Sequence, residues 1–316
     1  MKTLNDYFLE YDESNRLYQS DYETIREKRD LILKELKEDE NVSVSFSPIV
    51  LGSAKLLTGV KYEDGNYDID CGIRMNIKKS EIQNYSAKEC KDSVYNAMKK
   101  YRDPKYNTKC ITAVYYRENE PLFHIDFPVF AYDSENEIYY LADGKASDGV
   151  EWIRSYPEEL LEYLTLPNDD YRRIIRLLKI WNFYAFKSKK KHSKAPSVAL
   201  SFETRKWFEQ NTYSSDLEAL ISIATRLKNR ISGENICMTN PFDGSNIFYK
   251  MNGDKDCVSI FSEQLDNFIS RLNEAKNANV SSIHNACEKL KKVFPGFPEA
   301  EKEKTEESFG TNARYA

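Results

Sequence analysis

The residues most able to do chemistry are five side chains or turns drawn from two stretches of the chain. Asp68 and Asp70 form a D-x-D pair at the head of an apolar run. In an extended strand side chains repeat every two residues, so both carboxylates project from one face. Side by side they repel and raise each other's pKa unless a cation sits between them. Hard divalent ions such as Mg²⁺ suit such oxygen ligands and are completed by substrate phosphates. Upstream, Gly52-Ser53 closes another apolar run and offers backbone N–H groups and a hydroxyl to an anion. A third carboxylate, Asp126, is the lone charge in LFHIDFPVF, residues 122–130. Such an Asp is costly to bury unless it is paired or ligates a metal. Each piece has a plainer reading: a bare D-x-D fits a solvated strand end, and Asp126 alone fits a core Asp satisfied by backbone N–H groups. His124 shares a face with Asp126, which suits either a packed strand His or contact with a metal site.

These residues need a scaffold that brings three strand positions together. Residues 22–37 carry Ile25, Leu31, Ile32, Leu33 and Leu36 at mostly helical spacing, an amphipathic helix that packs on a sheet. Residues 42–51 read as a strand interrupted late by Pro48, and residues 54–57 as a short helix. The turn signal Glu63-Asp64-Gly65 precedes a strand over 68–77. A helix over 87–101 follows, then strands over 109–116 and 122–131 that read as a hairpin, and a short strand over 138–141. That order gives an α/β (α+β) fold with a mixed sheet backed by helices. The pattern changes between Pro157 and Pro167. After the N-cap cluster Asn168-Asp169-Asp170, helices are predicted over 171–187, 198–208, 216–230, 258–276 and 281–293. The organisation is therefore a core over 1–165, a helical lobe over 166–297 and a tail over 298–316.

Gly-Ser, then D-x-D, then a strand Asp 56 positions after Asp70 resemble the polymerase-beta nucleotidyltransferase superfamily. Arg176-Leu177-Leu178-Lys179-Ile180-Trp181-Asn182 is similar to the spine-helix motif of its oligoadenylate synthase and cyclic GMP-AMP synthase branch. The run Ala195-Pro196-Ser197-Val198-Ala199-Leu200 falls where that branch has a Ser-containing helix start. Residues 240–247, NPFDGSNI, resemble its later Asn/Asp-Pro…Asn element. Over about residues 40–270 the chain most resembles the bacterial cGAS/DncV-like nucleotidyltransferases, the CD-NTases. The resemblance implies a cyclic di- or trinucleotide made from nucleoside triphosphates in anti-phage signalling. It further implies Asp68, Asp70 and Asp126 as catalytic ligands of two Mg²⁺ ions, with Mn²⁺ as a substitute. Gly52, Ser53, Lys179 and Ser197 would contact the phosphates. Operon companion proteins acting on the carboxyl terminus at Ala316 are the partners it suggests. A linear oligonucleotide synthase, another nucleotidyl transferase, or a catalytically silent nucleotide sensor remain alternatives.

Composition narrows the field. The 316 residues carry a net charge of −5, which disfavours long nucleic acid as a constitutive partner because phosphate neutralisation needs a broad basic surface. Twenty-two Tyr against three His argue against a His-based metal centre. Six Cys without a C-x-x-C pair suit free thiols in a reducing cytoplasm better than disulfides or zinc. No window approaches about 18 consecutive apolar residues, and the start MKTLNDYFLEYDES is too acidic for a signal peptide. The expected location is cytoplasmic, away from membranes. Five Lys in residues 187–194 read as a solvated loop, or as a rim that attracts nucleotides or a partner.

Overall fold

The computed structural model describes residues 2–63, 67–118 and 120–301. Asp64 and Gly65 of the turn signal, and Ala316 of the tail, lie outside the described residues. Two helices lead in, α1 (Leu4–Asn15) and α2 (Gln19–Glu38). Then come β1 (Phe46–Leu51), α3 (Gly52–Leu56), β2 (Tyr67–Asn76) and α4 (Ala87–Lys99). Six strands follow: β3 (Lys105–Tyr106), β4 (Ile111–Arg117), β5 (Glu120–Phe127), β6 (Val129–Asp133), β7 (Ile138–Lys145) and β8 (Gly149–Ser155). With β1 and β2 they make one mixed sheet, in the order β3-β4-β5-β2-β6-β7-β8 with β1 on the free flank of β2.

The register of this sheet fixes the geometry of the carboxylates. Strand β2 runs parallel to β5, with Asp68 opposite His124 and Asp70 opposite Asp126. It continues parallel to β6, with Ile73 opposite Val129, so the offset of 56 does not slip at Pro128. The Ile73 N–H donates to the Pro128 carbonyl at 2.8 Å, which keeps the pairing continuous where proline has no donor of its own. The single strand predicted over 122–131 is thus split in name while holding one register. What changes at Pro128 is the outer neighbour, β4 beside β5 and β7 beside β6. Strand β7 runs four residues past its expected end and pairs with β8, which periodicity did not reveal.

The remainder is mostly helical: α5 (Pro157–Leu164), α6 (Asp169–Phe186), α7 (Ser197–Gln210) and α8 (Asp216–Lys228). A small hairpin (Ile231–Ser232, Asn235–Ile236), α9 (Tyr249–Asn252), α10 (Lys255–Asn279) and α11 (Ile283–Leu290) complete it. Helix α6 starts at Asp169, two residues before the predicted start, and is capped from within the expected cluster, the Asn168 side chain accepting from the Tyr171 N–H at 3.0 Å. Its centre is wholly buried, with Leu177, Leu178, Ile180 and Trp181 all at 1% exposure or less, so α6 is the axis of the helical core. Residues Leu4, Phe8 and Tyr11 of α1 pack into that core and not against the sheet. Phe8 and Tyr11 meet Phe294 and Phe297 at ring separations of 5.0 to 6.1 Å. The sheet has its own core with α2 and α4, built on Ile25, Ile32, Val94, Ile125 and Phe127. Among the described residues no helix is long and apolar enough to cross a membrane.

Candidate active site

Strand β1 ends at Leu51, paired with Asp70, and the chain turns at once into α3. The turn needs Gly52: its φ is +64°, and a Cβ there would lie 1.8 Å from Asp70 Oδ2. Only hydrogen fits between this backbone and the carboxylate. Gly52 and Ser53 therefore sit against one side of Asp70, while Asp126 lies beside it across the parallel pairing. Asp68 is more open at 47% side-chain exposure, against 22% for Asp126.

Carboxylates this crowded are electrostatically strained. Burial first, and then the charges of Asp68 and Asp126, push the Asp70 carboxyl up to about 7, with Lys179 pulling the other way. Burial likewise raises Asp126 above the usual carboxylate range, opposed by a hydrogen bond from Thr112. Thr112 lies directly opposite Asp126 on β4. Its Oγ1 donates to Asp126 Oδ1 and accepts from Asn107 Nδ2 at 2.8 Å. This relay was not legible in the sequence. The cost falls if a cation neutralises the cluster, and the donor set of half-buried oxygens suits a hard divalent ion. Asp68, His124 and Asp126 can present ligand atoms within 4.8 Å of one another.

Asp68 and Asp70 open onto a cleft of about 310 Å³. Asp68, Asp70, Gly52, Ser53, Lys179 and Ser197 all line it, along with Tyr62, Pro157 and Leu160. Asp126, beside Asp70 in the register, does not line the cleft itself. Lys179, at 8% exposure, donates from Nζ to the Thr58 carbonyl at 3.0 Å and to Thr58 Oγ1 at 3.3 Å. Burial lowers its pKa to about 8, although Asp68 and Asp70 act to raise it. Ser197 opens α7. Its position depends on Asn182, whose side chain donates to the Ala195 carbonyl at 2.9 Å and accepts from the Ala195 N–H at 3.1 Å. Asn182 thus clamps the loop leading into α7, a role that its place at the end of the Arg176–Asn182 motif did not disclose.

Arg176 faces away from the cleft, in contact with Asp12 and the Leu57 carbonyl. Residues 187–192 of the Lys-rich loop are exposed, and several of its lysines have partners. Lys190 bridges Asp254 and Asp256 at 2.9 and 2.8 Å, and Lys187 reaches Glu63 at 3.3 Å. Lys194 lies over the rings of Tyr62 and Phe183. In NPFDGSNI, Asn246 Oδ1 accepts from the Phe248 N–H at 3.0 Å while its Nδ2 donates to the Ile236 carbonyl at 3.0 Å. That element braces the small hairpin and supplies no group to the cleft.

Solved structures of similar shape identify the architecture. The Bradyrhizobium diazoefficiens CD-NTase CdnG, in complex with GTP, superposes with a TM-score of 0.72, covering 93% of this chain and 95% of its own at 13% identity. The Vibrio cholerae di-nucleotide cyclase DncV, in complex with ATP and GTP, gives 0.70 over 93% and 96% at 14% identity. E. coli MS115-1 CdnC with ATP gives 0.65 over 92% and 97% at 14% identity. The chain has the CD-NTase fold. At identities this low the likeness establishes that fold, a polymerase-beta-like core with a helical lobe, and leaves the chemistry to the site. No protein-family model matches the sequence, and no curated protein matches it either.

Proposed function

We propose that this CD-NTase-fold chain is a nucleotidyltransferase that joins nucleoside triphosphates into a cyclic di- or trinucleotide messenger, releasing pyrophosphate. The observation that carries the reading is the β2–β5 register, which sets Asp70 beside Asp126 and Asp68 beside His124 at a cleft shared with Gly52, Ser53, Lys179 and Ser197. The neighbours solved with GTP and ATP support the same substrate class.

Asp68 and Asp70 would hold two Mg²⁺ ions, with Asp126 serving the one nearer the attacking hydroxyl; Mn²⁺ is the natural substitute. When bound, such ions stabilise the charge developing on the attacking and leaving oxygens. The protein's share is positioning. Gly52, with no side chain, lets the Asp70 carboxylate lie directly against the turn that carries Ser53. Ser53 Oγ and the amides beside it, the Lys179 ammonium and Ser197 orient the β- and γ-phosphates. Thr112 holds the Asp126 carboxylate in one rotamer. There is no covalent enzyme intermediate to form, so orientation and electrostatics supply most of the rate.

We assign residues 1–165 to the catalytic core, 166–297 to the helical lobe and 298–316 to a tail. The setting is bacterial anti-phage signalling in the cytoplasm, with companion proteins of the operon acting on Ala316. Incubating the purified chain with an E1-like companion tests that last assignment; the absence of any adduct depending on Ala316 would dismiss it.

The activity is tested by incubating wild type and the Asp68→Asn/Asp70→Asn double variant with all four labelled triphosphates, Mg²⁺ and Mn²⁺. The expected result is a phosphatase-resistant product of cyclic mass that the double variant does not form. Phosphatase-sensitive chains would indicate a linear synthase. Nucleotide binding without any product would indicate a sensor.

A further inference from the structure

His124 belongs to the carboxylate cluster by geometry and not merely by proximity. It stands opposite Asp68 in the β2–β5 register and two residues before Asp126 on the same strand face. Its Nε2 lies 4.0 Å from Asp68 Oδ2 and 4.0 Å from Asp126 Oδ2. An ion bound at about 2.1 Å places its ligands about 3.0 Å apart when they are neighbours and about 4.2 Å apart when opposite. Separations of 4.0 Å fall inside that range, so small side-chain movements allow all three groups to share one ion. The imidazole is 24% exposed and is held by a paired strand, which limits how far it can turn away.

We propose that His124 is a nitrogen ligand in this site and biases it away from Mg²⁺ towards divalent first-row transition ions, for which Mn²⁺ serves as the paramagnetic probe. The proposal rests on the nucleotidyltransferase reading for the role of the ion and adds to it the identity of one ligand. Mg²⁺ demands oxygen ligands in near-ideal octahedral geometry and dehydrates reluctantly. Imidazole suits transition ions, whereas carboxylates suit Mg²⁺ and Mn²⁺ alike. A mixed set of two carboxylates and one imidazole therefore discriminates between ions that an all-carboxylate set accepts equally. Replacing His124 by Gln keeps a polar side chain that can offer an oxygen, so the site loses its ring nitrogen.

The test is spectroscopic and needs no turnover. Mn²⁺ is added to the full chain without nucleotide, and pulsed electron paramagnetic resonance is used to look for hyperfine coupling from a coordinated imidazole nitrogen. The expected result is a coupling in wild type that changes when histidine carrying heavy nitrogen is incorporated and is lost in His124→Gln. Equilibrium titration should show Mn²⁺ affinity falling at least about tenfold in His124→Gln, while Mg²⁺ affinity changes less than about threefold. Isotope labelling reports on the unmutated protein, so the result stands even if the variant folds poorly. Mn²⁺ bound in a manner sensitive to Asp126→Asn, yet without nitrogen coupling, would overturn the role of His124 and leave the nucleotidyltransferase reading intact. No Mn²⁺ binding at all would likewise overturn the role of His124, and Mn²⁺ binding indifferent to both Asp68→Asn and Asp126→Asn would overturn both.

Discussion

Arg176 grips Asp12 with two nitrogens, Nε and Nη2, each 2.6 Å from a carboxylate oxygen. Both residues are buried, at 5% and 3% exposure. The third arm of the guanidinium, Nη1, donates to the Leu57 carbonyl at 2.8 Å. Leu57 ends α3 with φ at +58°, a left-handed conformation that a branched residue adopts only where its surroundings impose it. One ion pair therefore joins the first helix, the axis of the helical core and the turn that carries Gly52 and Ser53.

Asp12→Ala should leave the Arg176 charge buried and unpaired, at a cost of about 3–5 kcal/mol. Urea unfolding of the purified variant measures this directly. A loss under about 1 kcal/mol would mean that the pair is not a structural tie. Arg176→Met with Asp12→Leu should recover much of the stability, because an apolar pair of similar volume avoids the desolvation cost.

Gly52→Ala should abolish chemistry while sparing the fold. The added methyl lands on Asp70 Oδ2 and the backbone keeps a positive φ, so the carboxylate must move by about the width of an atom. Displacements of that size at a reacting centre cost about 100-fold or more in rate. Product formation under saturating nucleotide, alongside circular dichroism, separates this from unfolding. Activity within about threefold of wild type would exclude the close Gly52–Asp70 approach as a requirement.

Much of this arrangement was legible in the sequence because it follows strand periodicity. The two-residue repeat places Asp68 and Asp70 on one face, and the 56-residue spacing to Asp126 is the register of the parallel pair. The lone charge in LFHIDFPVF marked a strand whose neighbours are fully buried, Ile125 and Phe127 at 0%. Other parts left weaker traces. Helix α1 carries Leu4, Phe8 and Tyr11 at helical spacing behind a capping box of Thr3 and Asp6, a pattern diluted by the five intervening residues Asn5, Asp6, Tyr7, Leu9 and Glu10. Strand β8 is half exposed along its length, so it lacks the apolar alternation that betrays a buried strand. Thr112 and Asn182 act through side-chain hydrogen bonds to residues on other elements or loops, and no local pattern signals such a role.

Asp70 gives the site a pH dependence with a definite sign. Its folded pKa, about 7, stands above the unfolded value of about 4. Stability from this group is therefore fully present below about 4 and is lost as pH rises through about 7. A divalent ion reverses the loss, because it binds the ionised cluster and must displace a proton below that pH. The rise in melting temperature on adding Mg²⁺ should thus be larger at pH 8 than at pH 6. Differential scanning calorimetry at the two values reads it, and an equal or smaller rise at pH 8 would show that Asp70 is already ionised in the ion-free protein.

Thr112→Val tests how Asp126 is kept charged. The Thr112 hydroxyl donates to Asp126 Oδ1 and lowers a pKa that burial raises. Removing it while keeping the branched shape should raise the Asp126 pKa and leave Asn107 Nδ2 short of an acceptor. The acid limb of the rate profile should then move to higher pH, with a smaller change well above it where Asp126 is ionised in both proteins. Stability should fall by about 1–3 kcal/mol, the usual cost of stranding a buried polar partner. An equal loss of rate at every pH would instead point to a displaced carboxylate, with its ionisation unaffected. The two outcomes separate a hydroxyl that holds charge on Asp126 from one that only holds its position.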